Sequence, residues 1–403
     1  MPVLCLTVVL AAGYLWQNGG KSGQGWRQLG TKVALLSAAL NMPDAGLALL
    51  REQAALSGYW PTVYGAEGYA EGATNPMPPE GGAIQAETAA PPLSLSPWPP
   101  PQLNDTEEKP VPDTAESPQA GRYPRKFAGM PTIPDSYAAP VISENFAGYE
   151  NGAWLRWGSG YIKNDTRHDD EAVLTILEQE WATRFDNVAE PQVLIVHTHA
   201  TESYELYDRE IYDTRNTWRS TDNANNMVAV GDAMTAVLAQ NGIGVLHDTT
   251  QHDYPSYNGS YERSAQTIQE YLEEYPSIKV VLDLHRDAIQ REDAIVKPVV
   301  DIGGAKAAQI MIIAACDDGT MDIPNWRENL RFAALFQDYM EQYFPQLTKP
   351  AFFCYRKYNM DLTPGSLLLE FGSNANTLEE AVYAAQLAGQ ALNALIWDWQ
   401  DWG

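Results

Sequence analysis

The chain has 403 residues and a mass of 44.6 kDa, and 45% of its side chains are hydrophobic; that is enough for a sizeable core, excludes wholesale disorder, and suggests roughly two to three domains. Fifty-two acidic against 26 basic residues leave a formal charge of −26, which repels phosphate backbones and anionic headgroups and argues against nucleic acid as a partner. Three cysteines with no Cys-x-x-Cys pair leave no disulfide framework and no thiolate zinc site, although Cys316 and Cys354 remain able to pair.

Residues 1–16 carry no charged side chain, and the first basic residue is Lys21. The run is a little short of the ~20 residues that span a bilayer, but it reads as a signal anchor over 1–20. No small-x-small cleavage site ends it, so retention is expected over release. Residues 21–60 form a short helical region, with Leu35, Leu36, Leu47, Leu49 and Leu50 among its apolar positions. Over 61–140 the composition shifts, and 16 of the 27 prolines fall between Pro76 and Pro140. Proline-rich chain without a period is an extended, solvated spacer. Beside an apolar terminus it suggests a tether for a domain over 141–403.

That domain reads as α/β. Residues 176–186 are expected to be helical. The β-branched run 193–199 is a strand buried on both faces. Residues 225–240 follow a helical period closed by Asn241-Gly242. Strands follow at 243–248, 278–285, 308–315 and 366–372, with helices at 261–275 and 329–344. Thr377-x-x-Glu380 is a capping box opening a last helix to about Trp397. Strands alternating with helices predict a largely parallel open sheet covered on both faces, with ligands beyond the carboxyl ends of the strands.

Those ends carry chemistry. One delivers His197-Thr198-His199 and Glu202, a second His285-Arg286-Asp287, a third Glu370, and five of the six histidines lie between 197 and 285. Neutral imidazoles plus a carboxylate, with one open position, describe a catalytic Zn2+ site. Such an ion supplies acidified water and a Lewis acid for an amide carbonyl. Glu370 suits the proton transfer that amide cleavage also needs. His199 is the better ligand of its pair, with His197 packing or hydrogen-bonding behind it on a shared strand face. Glu202 can ligate or cap; Asp222, just before the 225 helix, is its competitor. Arg286 can orient a substrate carboxylate, or pair with Asp283 or Asp287. His247 and His252 sit near the same edge, with structural roles the simpler reading. No Gly-x-Ser-x-Gly elbow, Walker loop or His-Glu-x-x-His motif occurs, and Gly303-Gly304 lies in no dinucleotide fingerprint.

The blocks HTHATESY (197–204), STDNANNMVAVGDAM (220–234), GIGVLHDTTQHDYPSYNGSYERS (242–264), VVLDLHRDAI (280–289) and LLLEFGSNANTLEEA (367–381), with GYIKNDT (160–166) before them, resemble the stage II sporulation protein P family in order and spacing. The resemblance implies an amidase-like fold and a zinc-dependent peptidoglycan hydrolase, an N-acetylmuramoyl-L-alanine amidase and endopeptidase. It implies a membrane-anchored enzyme acting between the septal membranes in spore engulfment, with stage II sporulation proteins D and M as partners. Carried over by position, His199, Glu202 and His285 match the metal ligands, with Asp222 the alternative acid, and Glu370 matches the catalytic base. Rival readings are an inactive wall-binding scaffold and a zinc carboxypeptidase on free peptides.

Overall fold

A computed structural model of the protein describes residues 130–148 and 154–400. The expected anchor (1–20), the helical region (21–60) and the spacer up to 129 lie outside the described residues. Among those described, no helix is long and apolar enough to cross a membrane.

After a single 3-10 turn, β1 (Ala138–Glu144), β2 (Leu155–Trp157) and β3 (Gly160–Asp165) precede α1 (Asp170–Leu177). Pairing thus begins at Ala138, within the last residues of the proline-rich stretch. Next come β4 (Pro191–Val196), β5 (Ile211–Asp213), α2 (Met227–Gln240), β6 (Gly244–His247), α3 (Ser260–Glu274) and β7 (Val280–Asp287). The chain continues through β8 (Gln290–Arg291), β9 (Ala294–Ile302), β10 (Ala305–Ala308), β11 (Ile310–Ala315) and α4 (Trp326–Tyr343), and ends in β12 (Ala351–Cys354), β13 (Ser366–Ser373) and α5 (Leu378–Asp398).

The principal sheet has eight strands in the order β2-β3-β12-β11-β13-β7-β4-β6. Its β2–β3 and β11–β13 pairings are antiparallel and the rest parallel. The expectation of a largely parallel, doubly covered α/β sheet therefore holds. Alternation along β4 shows the covering directly. Val193 and Ile195 enter the main core, whereas Leu194 and Val196 join Ile268 of α3 and Val281 of β7 in a second cluster. Helices α2, α4 and α5 lie on the main-core face, and α3 on the other.

Two expectations need correction. The helix read over 176–186 lies instead at Asp170–Leu177, where the Asp169 carboxylate caps the Ala172 N–H at 2.8 Å. Past Leu177 the chain leaves helical geometry to seat two aromatics. Trp181 stacks on Phe332 with ring centroids 4.5 Å apart and donates from Nε1 to the Pro364 carbonyl at 3.3 Å, and Phe185 is fully buried. Core burial, not helical period, set that apolar spacing.

The second correction is β4, which stops at Val196 rather than running through His199. The Asp283 carboxylate takes the Thr198 N–H at 2.8 Å and the Thr198 hydroxyl at 2.6 Å, drawing the chain out of the ladder. A second, five-stranded sheet, β10-β9-β1-β5 with β8 beside β9, was not predicted at all.

Candidate functional site

Register builds the site. On the parallel pair β7–β13, His285 lies opposite Glu370, and in-register neighbours share a face of the sheet. Alternation puts Asp283, His285 and Asp287 on the face of Val281, which packs toward α3, while Leu282 and Leu284 enter the main core. The loop after β4 brings His199 to the same face. Its ring stacks on Tyr257 (4.5 Å between centroids, 15°) and meets His285 edge-to-face at 5.2 Å. Residues 86 positions apart in the chain are thereby in contact at one rim of the sheet.

The polar atoms are unevenly satisfied. Oδ1 of Asp283 lies 3.0 Å from His285 Nε2, outside good hydrogen-bond alignment, while His285 Nδ1 faces Glu202 Oε2 at 3.6 Å. Nε2 of His199 and Oε2 of Glu370 are buried with no hydrogen-bond partner. Such orphans cost stability, and native chains keep few of them.

Charge follows this geometry. Burial, reinforced by His285, pulls the His199 imidazole down to about 3, so it is a neutral donor. Burial would raise Glu202, but His285, Arg286 and Arg219 hold it well below the usual carboxylate range. Burial, helped by the charge of Asp287, pushes Glu370 up to about 8.

Two imidazoles, an ionised carboxylate and a buried orphan nitrogen make a donor set that fits zinc by chemistry. His199 would present Nε2, His285 Nδ1 and Glu202 a carboxylate oxygen. As the side chains stand, no three metal-ligating groups among the described residues converge on one point.

The other residues singled out in the sequence take different places. Asp222 is exposed, and its oxygens turn back to the Ala224 N–H and the Asn225 amide, so it caps the approach to α2. With β4 ended, His197 and His199 part company. His197 donates toward the Leu284 carbonyl from Nδ1 (3.2 Å) and meets His247 Nε2 at 2.8 Å, and His247 reaches Asp232 at 3.1 Å. His252 bonds the His197 carbonyl and Thr267. These three histidines are structural. Cys316 and Cys354 are buried free thiols that burial pushes up to about 12, which removes them as nucleophiles.

Arg286 needs correction as a substrate-binding residue. It projects to the face opposite His285, is buried, and donates from Nε to the Ser203 carbonyl (2.7 Å) and from its terminal nitrogens to the Trp218 (2.9 Å) and Asp287 (3.3 Å) carbonyls. It ties the 199–219 segment to β7. Arg286→Gln is expected to cost about 2–5 kcal/mol of stability through orphaned carbonyls, read as a lower melting temperature. A raised KM at unchanged stability would instead restore the substrate role. Asp283 was missed as a site residue, although its position two residues before His285 on one strand was the available signal.

The family model for stage II sporulation protein P matches residues 160–393, more than half of the chain. The chain belongs to that family. The described site falls inside the matched span. A relative, stage II sporulation protein P of Bacillus subtilis (strain 168), is 29% identical over 217 residues, covering 51% of this chain and 51% of that protein; the chain thus matches about half of that relative's length. Among solved structures, the N-acetylmuramyl-L-alanine amidase Ami1 of Mycobacterium smegmatis covers 52% of this chain and 99% of its own, at 12% identity and a TM-score of 0.30. The CwlD amidase of Clostridioides difficile, solved with the GerS lipoprotein, covers 52% of this chain and 98% of its own, at 11% identity and a TM-score of 0.32. Likeness that loose does not bear on the site.

Proposed function

We propose that this protein is a zinc-dependent peptidoglycan hydrolase of sporulation that cleaves the amide joining the muramic acid lactyl group to the stem peptide, and also peptide cross-links. The observation that carries the reading is the contact of the His285 ring with His199 on one side and with the Glu202 carboxylate on another, with the unpartnered Glu370 carboxyl in register beside His285. Membership of the family supports the biological setting.

His199, His285 and Glu202 would hold the ion, which supplies a Lewis acid for the carbonyl and lowers the pKa of water. Glu370 accepts the proton of the attacking water and returns it to the leaving nitrogen. In the metal-free protein burial and the charge of Asp287 push its carboxyl up to about 8, and a carboxyl held that way both takes and returns a proton more readily than an exposed one. Asp283 orients the His285 ring, and the neighbouring aromatics Tyr257 and Tyr261 narrow solvent access to His199. A wall-binding scaffold offers no account of a buried, unpartnered acid and imidazole kept side by side.

The enzyme is held at the membrane by residues 1–20, with the proline-rich arm setting its reach into the wall, and works with stage II sporulation proteins D and M between the septal membranes. The test is incubation of the zinc-loaded full chain with purified peptidoglycan, with and without chelator. Stem peptides with new amino termini are expected, and only without chelator. Intact wall from metal-replete protein would overturn the reading. Cleavage confined to free peptides would make the protein a carboxypeptidase.

A further inference from the structure

With Arg286 committed to backbone carbonyls, the cationic groups around the site can be sorted by what their donors already hold. Lys349 is buried against Asp287 at 2.9 Å. Arg263 spends its guanidinium on the carbonyls of His252, Ser256 and Asn258. Arg219 differs. It bridges backbone to backbone with Glu202, and its Nη1 is fixed by Asp253 at 2.7 Å and reaches the Thr201 hydroxyl at 3.3 Å. Its Nη2 stands 3.6 Å from Glu202 Oε1, and its side chain remains 34% exposed.

Among the described residues, Nε and Nη2 of Arg219 donate no hydrogen bond. The guanidinium also lies over the Tyr257 ring, 5.2 Å from its centroid, and that ring stacks on His199 at 4.5 Å. Arg219 and His199 thus both pack on the Tyr257 ring, which links the partly exposed guanidinium to the reactive centre.

We propose that Arg219 reads a carboxylate on the substrate close to the amide that is cut, so that the preferred substrate is an acidic peptide with that carboxyl free rather than amidated. The assignment rests on the hydrolase reading above. One edge of the planar guanidinium is held rigid by the buried Asp253, and the other presents two N–H groups in the fork that matches a carboxylate. The Tyr257 ring covers one side of the guanidinium and shields that side from water, which strengthens a charged pair. A chain of net charge −26 repels an anionic peptide at long range, and a fixed cation at the mouth offsets this where the peptide must dock.

The test uses the zinc-loaded full chain and two muramyl peptides that differ only in a free carboxyl or a carboxamide on the residue next to the scissile bond. The native protein is expected to prefer the carboxylate by about 10- to 100-fold in kcat/KM, the range for a charge-assisted hydrogen-bonded pair. In Arg219→Gln that preference should collapse toward 1, the loss falling mainly on KM for the carboxylate substrate, and Arg219→Lys should restore part of it. The ratio is internal to one preparation, so a partly misfolded variant does not distort it. An equal fall on both substrates in Arg219→Gln, or no preference in the native protein, would overturn the assignment while leaving the hydrolase reading standing. Cleavage of neither substrate by the native protein would overturn both.

Discussion

Glu370→Gln is expected to lower kcat on peptidoglycan by about 10²–10⁴-fold, the range for loss of a positioned general base, without loss of fold. The substitution keeps the shape of the side chain and removes only its ability to take a proton. It should also raise stability. The folded carboxyl is raised by burial, first, and by Asp287, second, to about 8. A raised carboxyl costs nothing below its ordinary value of ~4.3; stability is lost as pH rises from there toward about 8, where the folded carboxyl also ionises and the loss is complete. The amide never ionises and escapes that loss. In zinc-free protein the melting temperatures of native chain and variant should therefore coincide near pH 4 and diverge toward pH 8, with the variant higher. Each kcal/mol is worth about 2–4 °C for a domain of this size. An active variant, or one less stable at pH 8, would remove Glu370 from the role.

His285→Ala and His199→Ala should each abolish both zinc binding and hydrolysis. The rings touch edge-to-face; His199 would contribute the Nε2 that its neighbours leave unclaimed, and His285 the Nδ1 that faces Glu202. Asp283→Asn provides the graded comparison. It leaves both imidazoles in place but weakens the carboxylate that faces His285 Nε2 at 3.0 Å. Changes of that kind cost about 10–100-fold in metal affinity. Competition titration against a chromophoric chelator should rank native chain, Asp283→Asn and the two alanine variants in falling order. Equal affinity for all four would separate the histidines from the metal.

Much of this arrangement was readable along the chain because buried parallel strands announce themselves. VLIV and LLL are continuous apolar runs, and VVLDL is one broken only by Asp283; they end abruptly in His, His-Arg and Glu. The capping box at Thr377 and Glu380 marked α5, and both of its reciprocal bonds are present. What escaped has a local cause in each case. Strand β9 carries Lys297 and Pro298, which break an apolar pattern; Lys297 is buried nonetheless because Asp208 and Glu380 hold its ammonium at 2.7 and 3.0 Å. Strands β2, β5 and β8 are three residues or fewer, too short to show alternation. Arg286 beside His285 suggested a shared site, but adjacent strand residues face opposite ways, and only the register of β7 against β13 decides which faces the centre.

The most direct test of the central claim is the zinc X-ray absorption spectrum of the full chain loaded with one equivalent of the metal. Two imidazole nitrogens at ~2.0–2.1 Å with oxygen completing the shell, one of the imidazoles vanishing in His285→Ala, is the predicted result. An oxygen-only shell, or a spectrum unmoved by that substitution, would contradict the account.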